Sequence, residues 1–138
     1  MIIATFLLAF ALSLTATAQC ASDRLTLKAA ALPMYLPIAR TAHVTGDVLV
    51  AFDIDEHGRT TNVRAMSGSP MLAVSATDNV KSWTLSVTAG VTAAKDCRTL
   101  FRYSLSSQET DIPRLQVSFQ GVDVVEVHSD PPKPTTNY

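Results

Sequence analysis

The sequence predicts an α+β fold, a small two-layer domain in which two helices pack on one face of an antiparallel sheet of three to four strands. Three observations carry that expectation. Val48, Val50, Phe52 and Ile54 alternate with Asp47, Leu49, Ala51, Asp53 and Asp55, and a period of two marks a strand with one buried face. Asp55-Glu56-His57-Gly58-Arg59 reads as a turn in which Gly58 takes a positive φ, and Thr60–Met66 returns as the second strand of a hairpin. Leu72, Ala76, Val80 and Trp83 then recur at helical spacing, which aligns them on one face.

The other elements follow in order. Pro33 and Pro37 bracket a helix start, since a proline in the first turn forfeits no hydrogen bond. Ile38, Ala39 and Ala42 give that helix an apolar stripe, so it is expected over Leu36–Val44 with Gly46 as its stop. Ser69 is placed to cap the second helix and Pro70 to open it. Asn79 and Lys81 should face water, and residues 84–95 connect onward without a clear period. Cys97, Thr99, Phe101, Tyr103 and Leu105 alternate with Arg98, Arg102 and Ser104, a third strand. After the polar break Ser106–Ile112 and Pro113, Leu115, Val117 and Phe119 alternate with Gln116, Ser118 and Gln120, a fourth, which Gly121 can bulge and Val122–Val127 can continue. Val48, Val50, Phe52, Ile54, Leu72, Val80, Trp83 and Phe101 should be buried, with Phe52 near Trp83.

Length and composition set the class. The 138 residues, 47 % apolar and 17 % charged, suffice for one folded domain. A net charge of -1 and the lack of any Lys/Arg cluster argue against a nucleic-acid partner. Residues 2–14 form an apolar run followed by Ala16-x-Ala18, the pattern of a signal peptide with its cleavage site, although no basic residue precedes the run. Three fates fit residues 1–18: removal, which leaves a periplasmic protein, retention as an inner-membrane anchor, or burial as a core helix. Thr17-Ala18-Gln19-Cys20 is a poor lipidation site. Cys20 and Cys97 are the two cysteines. Either they pair, which would close a long loop worth up to roughly 4 kcal/mol in the chain-entropy model, or they are independent thiols. The chain thus divides into a signal peptide or anchor (1–18), a lead-in (19–32), a domain (33–107), an extra strand (108–127) and a disordered, Pro-rich tail (128–138).

Little in the sequence suggests chemistry. His43, His57 and His128 are scattered over a helix end, a turn and a tail, whereas a metal or catalytic site needs convergence. Asp53, Asp55 and Glu56 cluster at a solvated turn. Ser67-Gly68-Ser69 lacks the flanking glycines of a nucleophile elbow. We therefore expect no enzyme activity, no metal and no cofactor.

A family resemblance adds to this reading. Leu32-Pro33-Met34-Tyr35-Leu36-Pro37-Ile38-Ala39-Arg40 resembles the Pro/Tyr-rich start of the TonB C-terminal domain. Val44-x-Gly46-x-Val48-x-Val50-x-Phe52-x-Ile54-Asp55-x-x-Gly58 is similar to its first hairpin, Val63-Arg64-x-x-Ser67-Gly68-Ser69-Pro70-x-Leu72 to its second strand and helix start, and Ala76-x-x-x-Val80-x-x-Trp83 to its helix. The resemblance covers about residues 32–107, roughly half the chain. The resemblance implies an energy-transducing protein of the bacterial envelope, bound to outer-membrane transporters by accepting a transporter strand at a sheet edge. It points to the third strand, Arg98–Leu105, as that edge, with Arg98, Leu100, Arg102 and Ser104 as partner-binding residues. The partner would be a TonB-dependent transporter or a second copy of this chain. The alternative is an envelope scaffold protein that assembles by edge pairing without energy transduction. Two departures bear on the choice. Only 14 residues, Gln19–Leu32, precede Pro33 after the signal, a reach of about 45–50 Å where a transducer has a long linker. Thr84-Leu85-Ser86-Val87 stands where the family has an aromatic residue and proline. The strand expected at 113–127 also raises the question of whether it occupies the partner's edge.

Overall fold

The computed structural model describes residue 20, residues 24–87 and residues 93–135. Residues 1–18, read above as a signal peptide or anchor, lie outside the described residues, as do 136–138. The order is β1 (Leu25–Ala29), α1 (Pro37–Thr41), β2 (Gly46–Ile54), β3 (Thr60–Ser67), α2 (Pro70–Lys81), β4 (Thr84–Val87), β5 (Ala94–Leu105), β6 (Leu115–Gln120) and β7 (Val124–Ser129). Five strands form one sheet in the order β3-β2-β5-β7-β6, and β1 pairs with β4 in a separate ribbon. The larger sheet is antiparallel except at β5–β7, which runs parallel. Parallel neighbours need a crossover, and the chain supplies it by carrying β6 beyond β7's place and returning.

The alternating positions of β2 form the floor of the core. Val48, Val50, Phe52 and Ile54 are buried, and so are Leu72, Val80, Trp83 and Phe101. The rings of Phe52 and Trp83 meet edge-on at 5.8 Å, and Trp83 also contacts Phe101 and Phe119 at 6.2 and 6.4 Å. Tyr35 and Ala39, before and within α1, join the same cluster, with Tyr35 edge-on to Tyr103 at 5.3 Å. Both helices therefore cover one face of the sheet, and burial of this layer is the main stabilising term.

Asn79 departs from expectation. It is 5 % exposed, not in water. The cause is Trp83: a buried indole N–H needs an acceptor, and it donates to Asn79 Oδ1 at 2.9 Å. Asn79 Nδ2 in turn donates to the Ala31 carbonyl at 2.7 Å, fixing the segment before α1 onto α2. The end of α1 also differs. The helix closes at Thr41, and His43, not Gly46, takes the left-handed conformation with φ 53°. The His43 N–H donates to the Arg40 carbonyl and Val44 N–H to the Ala39 carbonyl, the two bonds of a Schellman stop. Ser69 occupies the N-cap position of α2 without a side-chain capping bond; Pro70 opens the helix.

Gly58 does at the hairpin tip what the turn requires, with φ 79°. It has a second role the sequence does not reveal. The Leu85 N–H donates to its carbonyl at 2.8 Å, and a Cβ there would lie 2.0 Å from the Leu85 oxygen. The tip is thus the seat on which β4, and with it the β1–β4 ribbon, docks. Residues 19–32 are therefore not only a lead-in, since β1 lies within them, and part of the irregular stretch 84–95 is β4. Cys20 and Cys97 are disulfide-bonded, and the Cys20 N–H donates to the Lys95 carbonyl.

The C-terminal expectations need the largest corrections. The single extra strand over 108–127 is two strands, β6 and β7, separated by a turn at Gly121–Asp123, where Gly121 has φ 61°. The tail expected to be disordered from residue 128 begins inside β7, and Ser129 and Asp130 are buried. Pairing overrides composition here: Val125 and Val127 are fully buried opposite Phe101 and Tyr103, which carries the following residues into the fold.

Candidate protein-interaction surface

Strand β5 sorts its residues by parity. Cys97, Thr99, Phe101 and Tyr103 point into the core. Arg98, Leu100, Arg102 and Ser104 consequently share the opposite face, which neither α1 nor α2 covers. Across the ladder Arg98 lies opposite Ala51, Leu100 opposite Leu49 and Val124, Arg102 opposite Asp47 and Glu126, and Ser104 opposite His128. The result is a half-buried apolar centre, Leu49, Leu100 and Val124, ringed by polar groups. Arg102 sits 4.0 Å from Glu126, and Ser104 Oγ lies 2.9 Å from His128 Nδ1. The Arg98 side chain is exposed and makes no ion pair or hydrogen bond among the described residues.

The four residues named from the sequence are thus gathered on one surface, but not at an open edge. Strand β5 is paired along one side with β2 and along the other with β7. The covering strand is Val124–Ser129; Leu115–Gln120, the expected obstacle, pairs outside it. The far end of β7 is held by Asp130. Its carboxylate is 5 % exposed and accepts from Ser106 Oγ at 2.5 Å and Arg114 Nε at 3.1 Å. These two bonds, the serine's first, hold the carboxyl below the ordinary carboxylate range. The sequence offered no sign of this latch, since Asp130 opens a Pro-rich stretch that reads as tail.

The other candidates resolve into structural duties. Asp55 Oδ1 accepts the His57 and Arg59 N–H groups, both at 2.9 Å, so it organises the hairpin turn. Those bonds, Arg59's first, lower its pKa. Asp53 accepts the Asp96 N–H at 3.0 Å and the Asn62 amide at 3.4 Å, and the Asp96 bond leads the causes that lower its pKa. Asn62 and Asp96 both have positive φ, and the β2 ladder shifts register near Asp53 on both sides. Asp53 therefore stitches two bulges. Glu56 approaches His57 at 3.6 Å, both exposed. Among the described residues no three His, Cys, Asp or Glu side chains cluster as metal ligands, and no helix is long and apolar enough to cross a membrane. A groove of ≈ 210 Å³ between residues 31–36 and α2 is mainly apolar, with Asp78 its one charged lining residue.

The family model described as Gram-negative bacterial TonB protein C-terminal matches residues 31–105. The solution NMR structure of the Pseudomonas aeruginosa TonB C-terminal domain is similar, with 16 % identity, coverage of 56 % of this chain and 81 % of that chain, and a TM-score of 0.45. Among curated proteins nothing matches.

Proposed function

Because the chain belongs to the TonB C-terminal family, we propose that it is a periplasmic protein-interaction module linked to TonB-type transport across the outer membrane, and not an enzyme. The observation that carries this reading is the open face of β5. Arg98, Leu100 and Arg102 present charge around an apolar centre, the mix expected where a partner docks. Recognition by this surface needs no cofactor. Arg98 would supply attraction to an acidic partner segment, worth about 0–1 kcal/mol for an exposed pair. Main-chain pairing along β5 would require β7 to be displaced, so Asp130 would act as the restraint on that mode. Residues 1–18 would direct export and then be removed, or remain as an inner-membrane anchor.

The test is a titration of the isotope-labelled protein with the periplasmic segment of a purified TonB-dependent transporter from the same organism. Amide shifts at residues 98–104 are expected, weakened by Arg98→Glu. No shift, or shifts confined to α1 and α2, would defeat the proposal. Mass spectrometry of the exported protein decides its anchoring, since cleavage predicts a chain beginning at Gln19. The scaffold alternative, assembly by edge pairing, is favoured by one observation, the uncharged outer strand β6.

A further inference from the structure

The segment before α1 lies along α2 in the opposite direction. The Ala31 carbonyl accepts from Asn79 Nδ2 at 2.7 Å, the Ala31 N–H donates to Ser82 Oγ at 3.0 Å, and the Met34 carbonyl accepts from the Ser75 hydroxyl, one turn earlier on α2. The segment alternates as a strand does. Pro33 and Tyr35 are buried, so Leu32, Met34 and Leu36 point outward. All three outward residues are apolar, and they face Val74 across the groove of ≈ 210 Å³. Met71 precedes Val74 by three residues and continues the same face of α2. Leu32, Met34, Met71 and Val74 are between 41 and 70 % exposed. Single exposed apolar residues are ordinary, whereas a contiguous set rimmed by polar groups marks an interaction site. The hydrogen bonds that fasten both walls keep the groove preformed.

We infer that this groove docks an amphipathic helix of a partner protein, one that carries a lysine or arginine beside its apolar stripe. Size selects side chains over a whole small molecule, since 210 Å³ lies below the roughly 300–1,000 Å³ of a small-molecule pocket. The backbone selects a helix over a strand. Pro33 and Pro37 have no N–H, and the Ala31, Met34 and Leu36 carbonyls already accept hydrogen bonds. The groove wall therefore cannot extend a ladder to an incoming strand, while a helix satisfies its own main chain and offers side chains alone. Charge selects the basic flank. The Ser75 hydroxyl and the Asn79 amide are engaged by Met34, Ala31 and Trp83, and Asp78 is the one charged lining residue among the described residues. Its counter-ion Lys81 stands 3.8 Å away with both side chains well exposed, a loose pair that a partner's cation can replace. Met71, Val74 and Asp78 lie at i, i+3 and i+7 on α2, about 10 Å end to end. A partner helix laid along them meets this pattern with apolar residues at i and i+4 and a cation at i+7, and the flexible Met34 and Met71 adapt to its stripe. The groove is on the helix side of the sheet, away from Arg98 and Leu100, so the inference does not rest on the transporter reading and either can fail alone.

The probe is a synthetic helical peptide of about 18 residues on an alanine and glutamine background, with leucines at i and i+4 and a lysine at i+7, titrated into the isotope-labelled protein. Saturable amide shifts are expected at residues 32–36 and 71–78, with residues 98–104 unmoved. Met34→Gln with Val74→Gln, two exposed positions whose replacement leaves the core untouched, should weaken binding roughly tenfold. Asp78→Lys should weaken it about fivefold, and a peptide with glutamate in place of its lysine should bind that variant better than it binds the unaltered protein. Phosphatidylcholine vesicles should leave the same amides unmoved. Absence of saturable shifts, equal binding by the glutamine variant, indifference to the charge swap, or the same shifts with vesicles, which would make the groove a lipid contact, would each overturn the inference.

Discussion

The body of the domain, β2, β3, α2 and β5, and the C-terminal pair β6–β7 are held by different means. The body closes around Trp83, Phe52 and Phe101, all buried, with the indole N–H satisfied by Asn79. In the pair, β7 buries Val125 and Val127, but no residue of β6 is fully buried, and the far end of β7 depends on the Asp130 latch. One region is anchored by side-chain packing, the other increasingly by main-chain ladder and polar contacts. The cover over β5 should therefore open first at its outer strand β6, because local opening tracks how little apolar surface a segment buries.

The largest expected effect breaks both regions together. Trp83 touches Phe52 and Phe101 in the body and Phe119 in β6. Trp83→Ala should therefore cost about 4 kcal/mol, a large share of the roughly 5–15 kcal/mol that holds a small domain together, and urea unfolding should show it. Loss confined to β6 with the body intact would mean the two regions are not joined through this ring. Asn79→Ala comes next, at about 2 kcal/mol, because it leaves the indole N–H and the Ala31 carbonyl without partners. Its effect should fall on the body, read as a lower denaturation midpoint while β6 amide exchange relative to global unfolding is unchanged.

Thr99→Val should go the other way. The Thr99 hydroxyl is buried on β5 with no hydrogen-bond partner among the described residues, so an isosteric apolar side chain should add about 1 kcal/mol. Calorimetry showing destabilisation would reveal a partner for that hydroxyl.

The smallest global effect should come from the latch. Asp130 has its pKa lowered in the folded protein, so its contribution is present above the ordinary carboxylate pKa and is lost as pH falls through the lowered value. Acidification, or Asp130→Asn at neutral pH, should speed amide exchange at residues 127–130 with little change in the unfolding midpoint. Equal acceleration in β2 would erase the distinction between the regions. At the alkaline end the sign reverses. Burial pushes the Tyr35 phenol up to about 12, so stability should be intact below the ordinary tyrosine value and decline as pH rises through the raised one; phenolate absorbance followed with circular dichroism checks it.

Local pattern by itself determined the hairpin β2–β3, the body of α2, the inward set of β5 and the two-layer class, because alternation and helical spacing commit a segment to one face wherever a core exists. It also gathered Arg98, Leu100, Arg102 and Ser104, since strand parity alone puts them on one side. It could not say what lay beside them. Asn79 reads as a surface residue until Trp83 is seen to need an acceptor, and Asp130 reads as tail until Ser106 and Arg114 are brought to it from distant positions in the chain. Strand neighbours are a tertiary decision for the same reason. Nothing in Val124–Ser129 specifies a parallel seat against β5 rather than an antiparallel one; that follows from the crossover that places β6 outside and from the buried contacts of Val125 and Val127. Periodicity fixes which way a residue faces, and only the assembled sheet fixes which strand stands next to it and which edge is left open.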